Sequence, residues 1–331
     1  MTDRSTPMSH AFSPAALSID MDNQWSYMKT HGDAGWESYP SYIDVLIPYL
    51  LDLLDELGLS ITFFLVGIDV KSTENQQFVR MITERGHEPG NHSLTHEPWL
   101  HLYPRAQIDA DLRETHDAIE SVTGVAPQGF RGPGFSWSVD LLEALLALGY
   151  RYDASTLPTF IGPLARMYYF WTAKLSKEER AQRKKLFGTM ADGFRPVRPY
   201  NWTLPAGRTI LELPVTTIPV FRTPFHLSYL LYLSGYSQTL MERYLQVAVM
   251  MCKATGTSPS FLLHPLDLLG GDQVPELRFF PGMNIDGATK RKHFIRVLRL
   301  LGRHFELVNM SDYAELVRPA AGLRCIPAEA V

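Results

Sequence analysis

The sequence has few cysteines, and none lies in a metal-binding or disulfide motif. Its 331 residues include only two, Cys252 and Cys325, and neither belongs to a C-x-x-C pair. The sequence therefore supports neither a disulfide framework nor a cysteine zinc site. Any bound metal ion must be held by histidine and carboxylate side chains.

An excess of charge of either sign is also missing. The chain has 31 basic and 35 acidic side chains, which give a net charge of -4. Proteins that coat nucleic acid usually have a basic balance or stripe, so we expect no nucleic-acid partner. The composition is 45% apolar and 11% aromatic, which indicates a globular protein with a sizeable core. We predict a single domain over residues 1–331.

Long apolar runs are absent as well. Residues 1–14 lack the apolar core of a signal peptide, and the uncharged segment 224–241 is interrupted by polar side chains such as Ser228 and Ser234. A membrane-spanning helix needs roughly 20 consecutive apolar residues. We therefore expect a cytoplasmic protein, with peripheral contact at the inner face of the membrane as an alternative.

What the sequence does contain is an alternation of strand and helix patterns. Buried strands are predicted at residues 16–19 and 61–66, and amphipathic helices at 41–57 and 75–85. Further helices are predicted at about 105–122, 138–148 and 289–301, and further strands at 130–131, 149–154, 210–215 and 260–263. Such units place parallel strands side by side through right-handed crossovers, in an open sheet or a barrel.

One connection is too long for a compact domain. More than fifty residues separate the strand that ends near Asp153 from the strand at Ile210, which predicts a helical insertion at about 157–205. Within it, residues 167–171 are rich in aromatics and are followed by six basic residues up to Lys185. This combination favours either contact with a membrane surface or a solvated helix whose aromatics pack on the main domain.

Four stretches of polar side chains lie at or near the ends of predicted strands. These polar stretches are residues 18–22, 90–96, 130–135 and 262–265. Because the carboxyl ends of parallel strands meet at one mouth of a barrel, we expect the four stretches to form a single site.

Two histidines in the second stretch have the spacing of metal ligands. His92 and His96 are four residues apart, so both imidazoles can reach one ion. The pair alone is weak evidence in a chain with 11 histidines. Asp22 would complete a set of two histidines and one carboxylate that leaves positions open for water and substrate, as a hydrolytic metal requires.

Asp20 lies two residues before Asp22, so the two carboxylates point the same way from an extended strand. A turn or a helix cap is the alternative explanation of this D-x-D pattern. Adjacent carboxylates repel unless a cation lies between them. With a metal ion on Asp22, Asp20 could accept a proton from water while Arg131 holds it in place. His264 is the candidate general acid.

Together these motifs resemble the polysaccharide deacetylase family, also called the NodB-homology or carbohydrate esterase family 4 fold. The motifs, spread along most of the chain, are S-I-D-M-D, G-H-E-P-G-N-H-S-L-T-H, F-R-G-P-G, G-Y-R-Y-D-A-S-T and F-L-L-H-P. The resemblance implies an α/β fold, specifically a deformed (β/α) barrel to which the helical insertion is added. It also implies a metal-dependent hydrolase that acts on amide bonds.

The resemblance assigns a role to each motif residue. It makes Asp20 the catalytic base, Arg131 the partner of that base and His264 the general acid. The metal ligands that it implies are Asp22, His92 and His96. Two histidines and one aspartate suit a divalent ion, with zinc favoured.

Two further roles come from the same resemblance. The backbone N–H of Gly134 occupies the position of a donor to the oxyanion. Asp153 resembles the acid that tunes the histidine, with Glu212 or Asp267 as alternatives for that part.

The departures from the family bear on the substrate. D-x-D-N replaces the adjacent aspartates of many members, as it does in the branch that includes allantoinase-like and cyclic-imide-hydrolysing relatives. We expect hydrolysis of an N-acyl group, in the first instance N-acetyl, on an amino-sugar glycan, which could be lipid-linked. The alternatives are an allantoinase-like or cyclic-imide amidohydrolase and a non-catalytic glycan-binding protein. Four aromatic residues that flank the motifs either stack on sugar or pack in the core, namely Trp25, Trp99, Phe135 and Trp137.

Overall fold

The structure is a computed structural model that describes residues 12–162, 190–318 and 322–328. Within these ranges one sheet contains ten strands. They are β1 (Pro14–Asp20), β2 (Thr62–Leu65), β3 (Glu88–Asn91), β4 (Gly129–Phe130), β5 (Tyr152–Asp153), β6 (Tyr200–Thr203), β7 (Thr209–Glu212), β8 (Ser260–Leu263), β9 (Glu306–Val308) and β10 (Cys325–Pro327).

The helices lie between the strands along the chain. They are α1 (Gln24–His31), α2 (Ile43–Leu57), α3 (Gly67–Lys71), α4 (Gln76–Glu84), α5 (Arg105–Thr123), α6 (Val139–Ala147), α7 (Leu227–Ser234), α8 (Gln238–Thr255), α9 (Gly287–Gly302) and α10 (Met310–Val317). The longer predicted helices and the predicted strands are present with small shifts of their ends, and the expected α/β class is confirmed.

The strands form a mostly parallel, open ladder. Their order is β10-β6-β7-β5-β4-β3-β2-β1-β8, with β9 paired to the start of β1. The ladder does not close, but Thr216, a few residues after β7, reaches β8: its N–H donates to the Ser260 carbonyl at 3.0 Å and its hydroxyl accepts from the Ser260 N–H at 2.6 Å. This arrangement is the expected deformed barrel, since hydrogen bonds outside the ladder span the gap.

The predicted helical insertion at 157–205 is wrong at its end. Residues Tyr200–Thr203 form β6, which pairs antiparallel with β7, and Trp202 lies opposite Ile210. Tyr200 and Trp202 are buried while Asn201 and Thr203 are half-buried. This two-residue alternation, with aromatic residues that favour strands, is the sequence signal for β6. The aromatic and basic stretch 167–185 lies outside the described residues.

The uncharged segment 224–241 forms α7 and the start of α8. Among the helices of the described ranges, none is both long and apolar enough to cross a bilayer.

The largest apolar cluster lies between one face of the sheet and helices α2, α7, α8 and α9. Helix α2 shows how the sequence builds it, because Leu46, Leu50 and Leu54 recur at helical spacing and are completely buried. The helix ends at Gly58, whose φ of 64° is the left-handed conformation that glycine adopts without steric cost.

We expect Leu50→Ala to lower the free energy of unfolding by about 2–5 kcal/mol, because it leaves a cavity in this cluster. Val45 on the same helix is 57% exposed. Val45→Ala should therefore change stability by less than about 0.5 kcal/mol. Denaturant unfolding followed by circular dichroism measures both, and equal losses in the two variants would contradict the assigned packing of α2.

Candidate active site

The register of the sheet brings the candidate base and acid together. Strands β1 and β8 are parallel neighbours, and Ile19 lies opposite Leu263. Asp20 and His264 are the next residues on each strand. Since neighbouring strands lie about 4.8 Å apart, both side chains belong to one short stretch of the sheet edge.

The same edge continues across β3 and β4. Asn91 lies opposite Phe130 in parallel register, so His92 and Arg131 directly follow paired residues. The carboxyl ends of β1, β3, β4 and β8 thus supply the four polar stretches, and the predicted convergence is present.

The segment after β1 is fixed by Asn23, which caps α1. The Asn23 side-chain oxygen accepts from the N–H of Gln24 at 2.8 Å and from that of Tyr42 at 3.2 Å, and its amide donates to Asp69 at 2.8 Å. The Tyr42 hydroxyl in turn donates to the backbone carbonyl of Asp22. Asp22 is therefore held by a buried polar network, and this explains why Asn follows the D-x-D pattern.

The loop after β3 turns sharply to present two imidazoles. Ser93 and His96 have φ angles of 64° and 48°, which side chains other than glycine rarely adopt. The Asn91 side chain supports the turn by accepting from the Ser93 N–H at 2.9 Å and donating to the Tyr150 hydroxyl at 2.8 Å. Strain of this kind persists where the surrounding structure fixes it, and it is common at functional sites.

Three ligand atoms converge at the centre of the site. The Asp22 Oδ1 atom lies 3.3 Å from His92 Nε2 and 2.9 Å from His96 Nε2, and all three atoms lie within 4.8 Å of one another. His92 Nδ1 donates to the Arg131 carbonyl at 2.6 Å, which leaves the lone pair of this imidazole on Nε2.

A neutral imidazole would repel the Asp22 oxygen that its lone pair faces, so this contact requires a shared cation, either a proton or a metal ion. Burial alone would raise the pKa of Asp22, but His96 and His92 lower it well below its usual value. The donor set of one ionised carboxylate and two imidazoles fits a divalent metal ion with open positions. The three residues predicted as ligands are therefore together.

Asp20 forms a buried ion pair with Arg131. The Arg131 Nη1 atom donates to Asp20 at 2.7 Å and to the Ser18 hydroxyl at 2.8 Å, and Nε donates to the Ala154 carbonyl at 3.0 Å. The guanidinium is completely buried and lies 4.3 Å from the centre of the Phe64 ring. This geometry fixes the Asp20 carboxylate beside the metal ligands.

His264 is held by groups that the sequence did not reveal as partners. The Ser228 hydroxyl lies 3.0 Å from His264 Nδ1, and the His264 backbone N–H donates to Asp267 at 2.8 Å. Ser228 also stabilises the Asp267 carboxylate, whose pKa burial raises above its usual value. A bond from Nδ1 to Ser228 leaves Nε2 as the nitrogen that can face a substrate.

Beneath this turn lies a buried lysine, Lys290 of α9. Its ammonium donates to the carbonyls of Leu266 and Leu269 at 2.6 and 2.9 Å. Burial lowers the pKa of Lys290 to about 8, against the opposing effect of the Asp267 charge. Lys290 lies four residues before Phe294 and seven before Val297, so the helical spacing of α9 places it on the buried face although lysine usually faces solvent.

Gly134 lies in the turn after β4, next to the metal-ligand loop. Its φ is 62°, and a Cβ atom there would lie 3.3 Å from the Pro98 side chain. Both the backbone conformation and the close approach to Pro98 favour glycine at this position. The turn places the third motif against the second, where the resemblance implies an oxyanion donor.

The predicted pairing of Asp153 with His264 is wrong. The carboxylate that contacts His264 is that of Asp267. Asp153 instead accepts from the Ser155 hydroxyl at 2.5 Å and is adjacent to Glu212. Burial raises the pKa of Asp153 to about 6, and burial together with the Asp153 charge raises that of Glu212 well above its usual value. Of the alternatives named from the sequence, Asp267 is the one that contacts His264, through the backbone N–H at 2.8 Å.

Two of the flanking aromatic residues belong to the core. Trp25 is completely buried and donates to Asp69 at 2.9 Å, while Trp137 stacks on Trp202 with ring centres 4.3 Å apart. Trp99 and Phe135 are half-buried near the metal-ligand loop.

Comparison with known sequences gives one family. Residues 33–152 match the family model described as Polysaccharide deacetylase. The chain is 30% identical over 149 residues to a peptidoglycan deacetylase of Helicobacter pylori, which is 43% of this chain and 49% of the relative. It is 35% identical over 103 residues to a chitooligosaccharide deacetylase of Rhizobium leguminosarum bv. trifolii, which is 31% of this chain and 46% of that relative. The chain spans about half the length of the curated relatives it matches.

Solved structures show the same fold at low sequence identity. A putative polysaccharide deacetylase from Mycobacterium smegmatis superposes with a TM-score of 0.57 at 19% identity, over 97% of this chain and 98% of the other. The Puue allantoinase superposes with a TM-score of 0.53 at 14% identity, over 93% and 91% of the two chains.

Replacement of a metal ligand should abolish metal binding. We expect the wild-type protein, loaded with zinc and dialysed, to keep about one ion per chain, because Asp22, His92 and His96 form one set of ligands. His92→Ala should lose most of it, whereas His304→Ala, outside the site, should retain it. Elemental analysis of the dialysed proteins measures this, and equal zinc contents would exclude the assigned site.

The acid pair at β5 and β7 should make stability depend on pH. The pKa of Asp153 is about 6 in the folded protein against an ordinary value of 3.8, so the folded state binds more protons and stability falls as pH rises between these values. The slope for one group is at most about 1.4 kcal/mol per pH unit.

Asp153→Asn should therefore reduce this fall, because it removes one of the two carboxyl groups. Denaturant unfolding at pH values from 4 to 7 measures the slope, with the exposed Asp117→Asn as control. If Asp153→Asn and wild type fall equally steeply, Asp153 is not a proton-binding group of the folded state.

Proposed function

We propose that this chain, which belongs to the polysaccharide deacetylase family, removes an N-acyl group from an amino sugar by metal-dependent hydrolysis. The observation that carries the proposal is the meeting of a buried Asp20–Arg131 pair, an Asp22–His92–His96 set and His264 at one edge of the sheet. A binding protein needs neither a base nor an acid beside a metal site.

The residues present fit a divalent ion, and zinc suits two imidazoles and a carboxylate. When bound by Asp22, His92 and His96, the ion would polarise the acyl carbonyl and acidify the attacking water.

Asp20 is the base in this proposal. Its carboxylate accepts the proton of the water that attacks the acyl carbon. The ion pair with Arg131, which itself is anchored by Ser18 and Ala154, keeps the carboxylate from turning away. Arg131 is thus a positioning residue for the base.

His264 is the acid that protonates the departing amine. The Ser228 contact at Nδ1 directs the other nitrogen, Nε2, toward the substrate, and Asp267 holds the turn by accepting from the His264 backbone N–H. The backbone N–H of Gly134 donates to the acyl oxygen as negative charge develops there, a contribution worth about 3–4 kcal/mol where it has been measured.

An amino-sugar polymer is the substrate class that the relatives support. Their names describe deacetylases of peptidoglycan, chitooligosaccharides and chitin. A lipid-linked glycan at the inner face of a membrane is the finer proposal, and it rests on the aromatic and basic residues of 167–185 in the sequence alone.

Acyl release is the direct test. We expect the zinc-loaded wild type to release acetate or formate from chitooligosaccharides or from detergent-solubilised bacterial lipid-linked glycans, measured by proton NMR. Asp20→Asn should lower kcat by about 10²–10⁴-fold because it removes the base, while zinc content is unchanged. Asp44→Asn, an exposed change on α2, should be as active as wild type.

The arms of this experiment separate the alternatives. Release only from the lipid-linked glycans supports the finer proposal. If the zinc-loaded protein hydrolyses allantoin or a cyclic imide but no glycan, its substrate is a small amide and not an amino sugar. Glycan binding without hydrolysis in any arm would favour the non-catalytic alternative.

A further inference from the structure

A pocket of about 360 Å³ lies between the C-terminal end of α7 and the segment 278–285, and it has no part in the proposed chemistry. We call it the tyrosine pocket; its walls include Tyr232, Tyr236 and Phe280, with the polar side chains of Arg278 and Asn284. Tyr232 and Tyr236 are 44% and 71% exposed, and their hydroxyls are 2.8 Å apart. The pocket therefore offers aromatic faces and planar polar groups to solvent.

One wall of the tyrosine pocket continues from the general acid. Ser228, which contacts His264, lies in α7, and Tyr232 and Gly235 follow it by four and seven residues. Residues at these spacings share one face of a helix. At a rise of about 1.5 Å per residue, Tyr232 lies about 6 Å from Ser228 along the helix axis and Gly235 about 10 Å.

The opposite wall continues from the metal-ligand side. Phe280 packs edge-to-face on Tyr27 of α1, with ring centres 5.0 Å apart. Helix α1 begins two residues after Asp22. Burial raises the pKa of Tyr27 well above its usual value, and the charges of Asp22 and Asp267 raise it further, which places this ring between the two halves of the site.

The position and chemistry of the pocket suit a neighbouring sugar of the same chain. A pyranose has an apolar C–H face and a rim of hydroxyls. Aromatic rings pack against the first, and guanidinium and amide groups hydrogen-bond the second. The separation from Ser228 is too great for the reacting sugar itself but is compatible with a unit further along the glycan.

We propose that the tyrosine pocket is a binding subsite for a pyranose ring of an extended glycan, next to the sugar that loses its acyl group. The inference rests on the proposed function, because the glycan reaches the tyrosine pocket only if its reacting amide lies at the metal site. It makes the protein an enzyme that prefers oligomers to short sugars.

Binding to an inactive holoenzyme tests the subsite apart from the chemistry. We would titrate zinc-loaded Asp20→Asn protein with N-acetylated chitobiose and chitotetraose by calorimetry, and repeat this with Tyr232→Ala and Tyr236→Ala added. We expect the tetramer to bind about tenfold more weakly without the two rings, while the dimer is unaffected. Phenylalanine at both positions should restore most of the tetramer affinity, since it keeps the ring faces.

Controls guard against indirect effects. Met250→Ala, an exposed change on α8, should leave both affinities unchanged. If the double alanine variant does not fold, Tyr236→Ala alone should weaken tetramer binding by about threefold, because this ring is the more exposed of the two.

The outcomes distinguish the subsite from the proposed function. Tetramer affinity that depends on the tyrosines, together with no acyl release by wild type, would keep the subsite and reject the hydrolase. Acyl release with tetramer affinity unchanged by the alanine variants would keep the hydrolase and overturn the subsite. The absence of tetramer binding by Asp20→Asn would also overturn it.

Discussion

The guanidinium of Arg131 ties together the strands that carry the candidate site. It reaches Asp20 and Ser18 on β1 and the carbonyl of Ala154 after β5, while its own backbone carbonyl accepts from His92. One buried cation therefore sets the position of the base and the orientation of a metal ligand. Removing a buried partner of this kind leaves its carboxylate uncompensated, which costs far more than an exposed ion pair contributes.

The metal set and the base could be predicted because their signals are local. The alternation of Asp20 and Asp22 and the four-residue spacing of His92 and His96 are short patterns that can be read without the fold. Asp20 also ends a strand with a clear apolar run, whereas β3, which precedes His92, has none. Parallel register then places these residues at one edge, as β1 with β8 and β3 with β4 show. The spacing of the polar residues along the chain, together with the order of the strands, accounts for most of the site.

The partners of His264 could not be predicted because they depend on packing between distant segments. Ser228 stands in an apolar helix with nothing to mark it. Lys290 supports the same turn and is in helical register with Phe294 and Val297, but a lysine at such a position is ordinarily expected to face solvent. Asp153 was chosen by resemblance to a motif, yet its side chain turns to Ser155 and Glu212. The strand Tyr200–Thr203 falls within a long connection that its length alone predicts to be helical, and its pairing with β7 depends on residues that follow it in the chain.

The pairing of β1 has a consequence for the biosynthesis of the protein. This strand carries Asp20, but its neighbours include β8 and β9, where Pro14 pairs with Glu306. A nascent chain displays the metal ligands of the loop after β3 long before the other side of β1 is available. Until then, the open edge of a strand rich in apolar residues is exposed to other chains. Because β8 and β9 lie far along the chain from β1, completing the sheet around Asp20 depends on pairing between distant parts of the sequence, which is slower than the formation of local contacts.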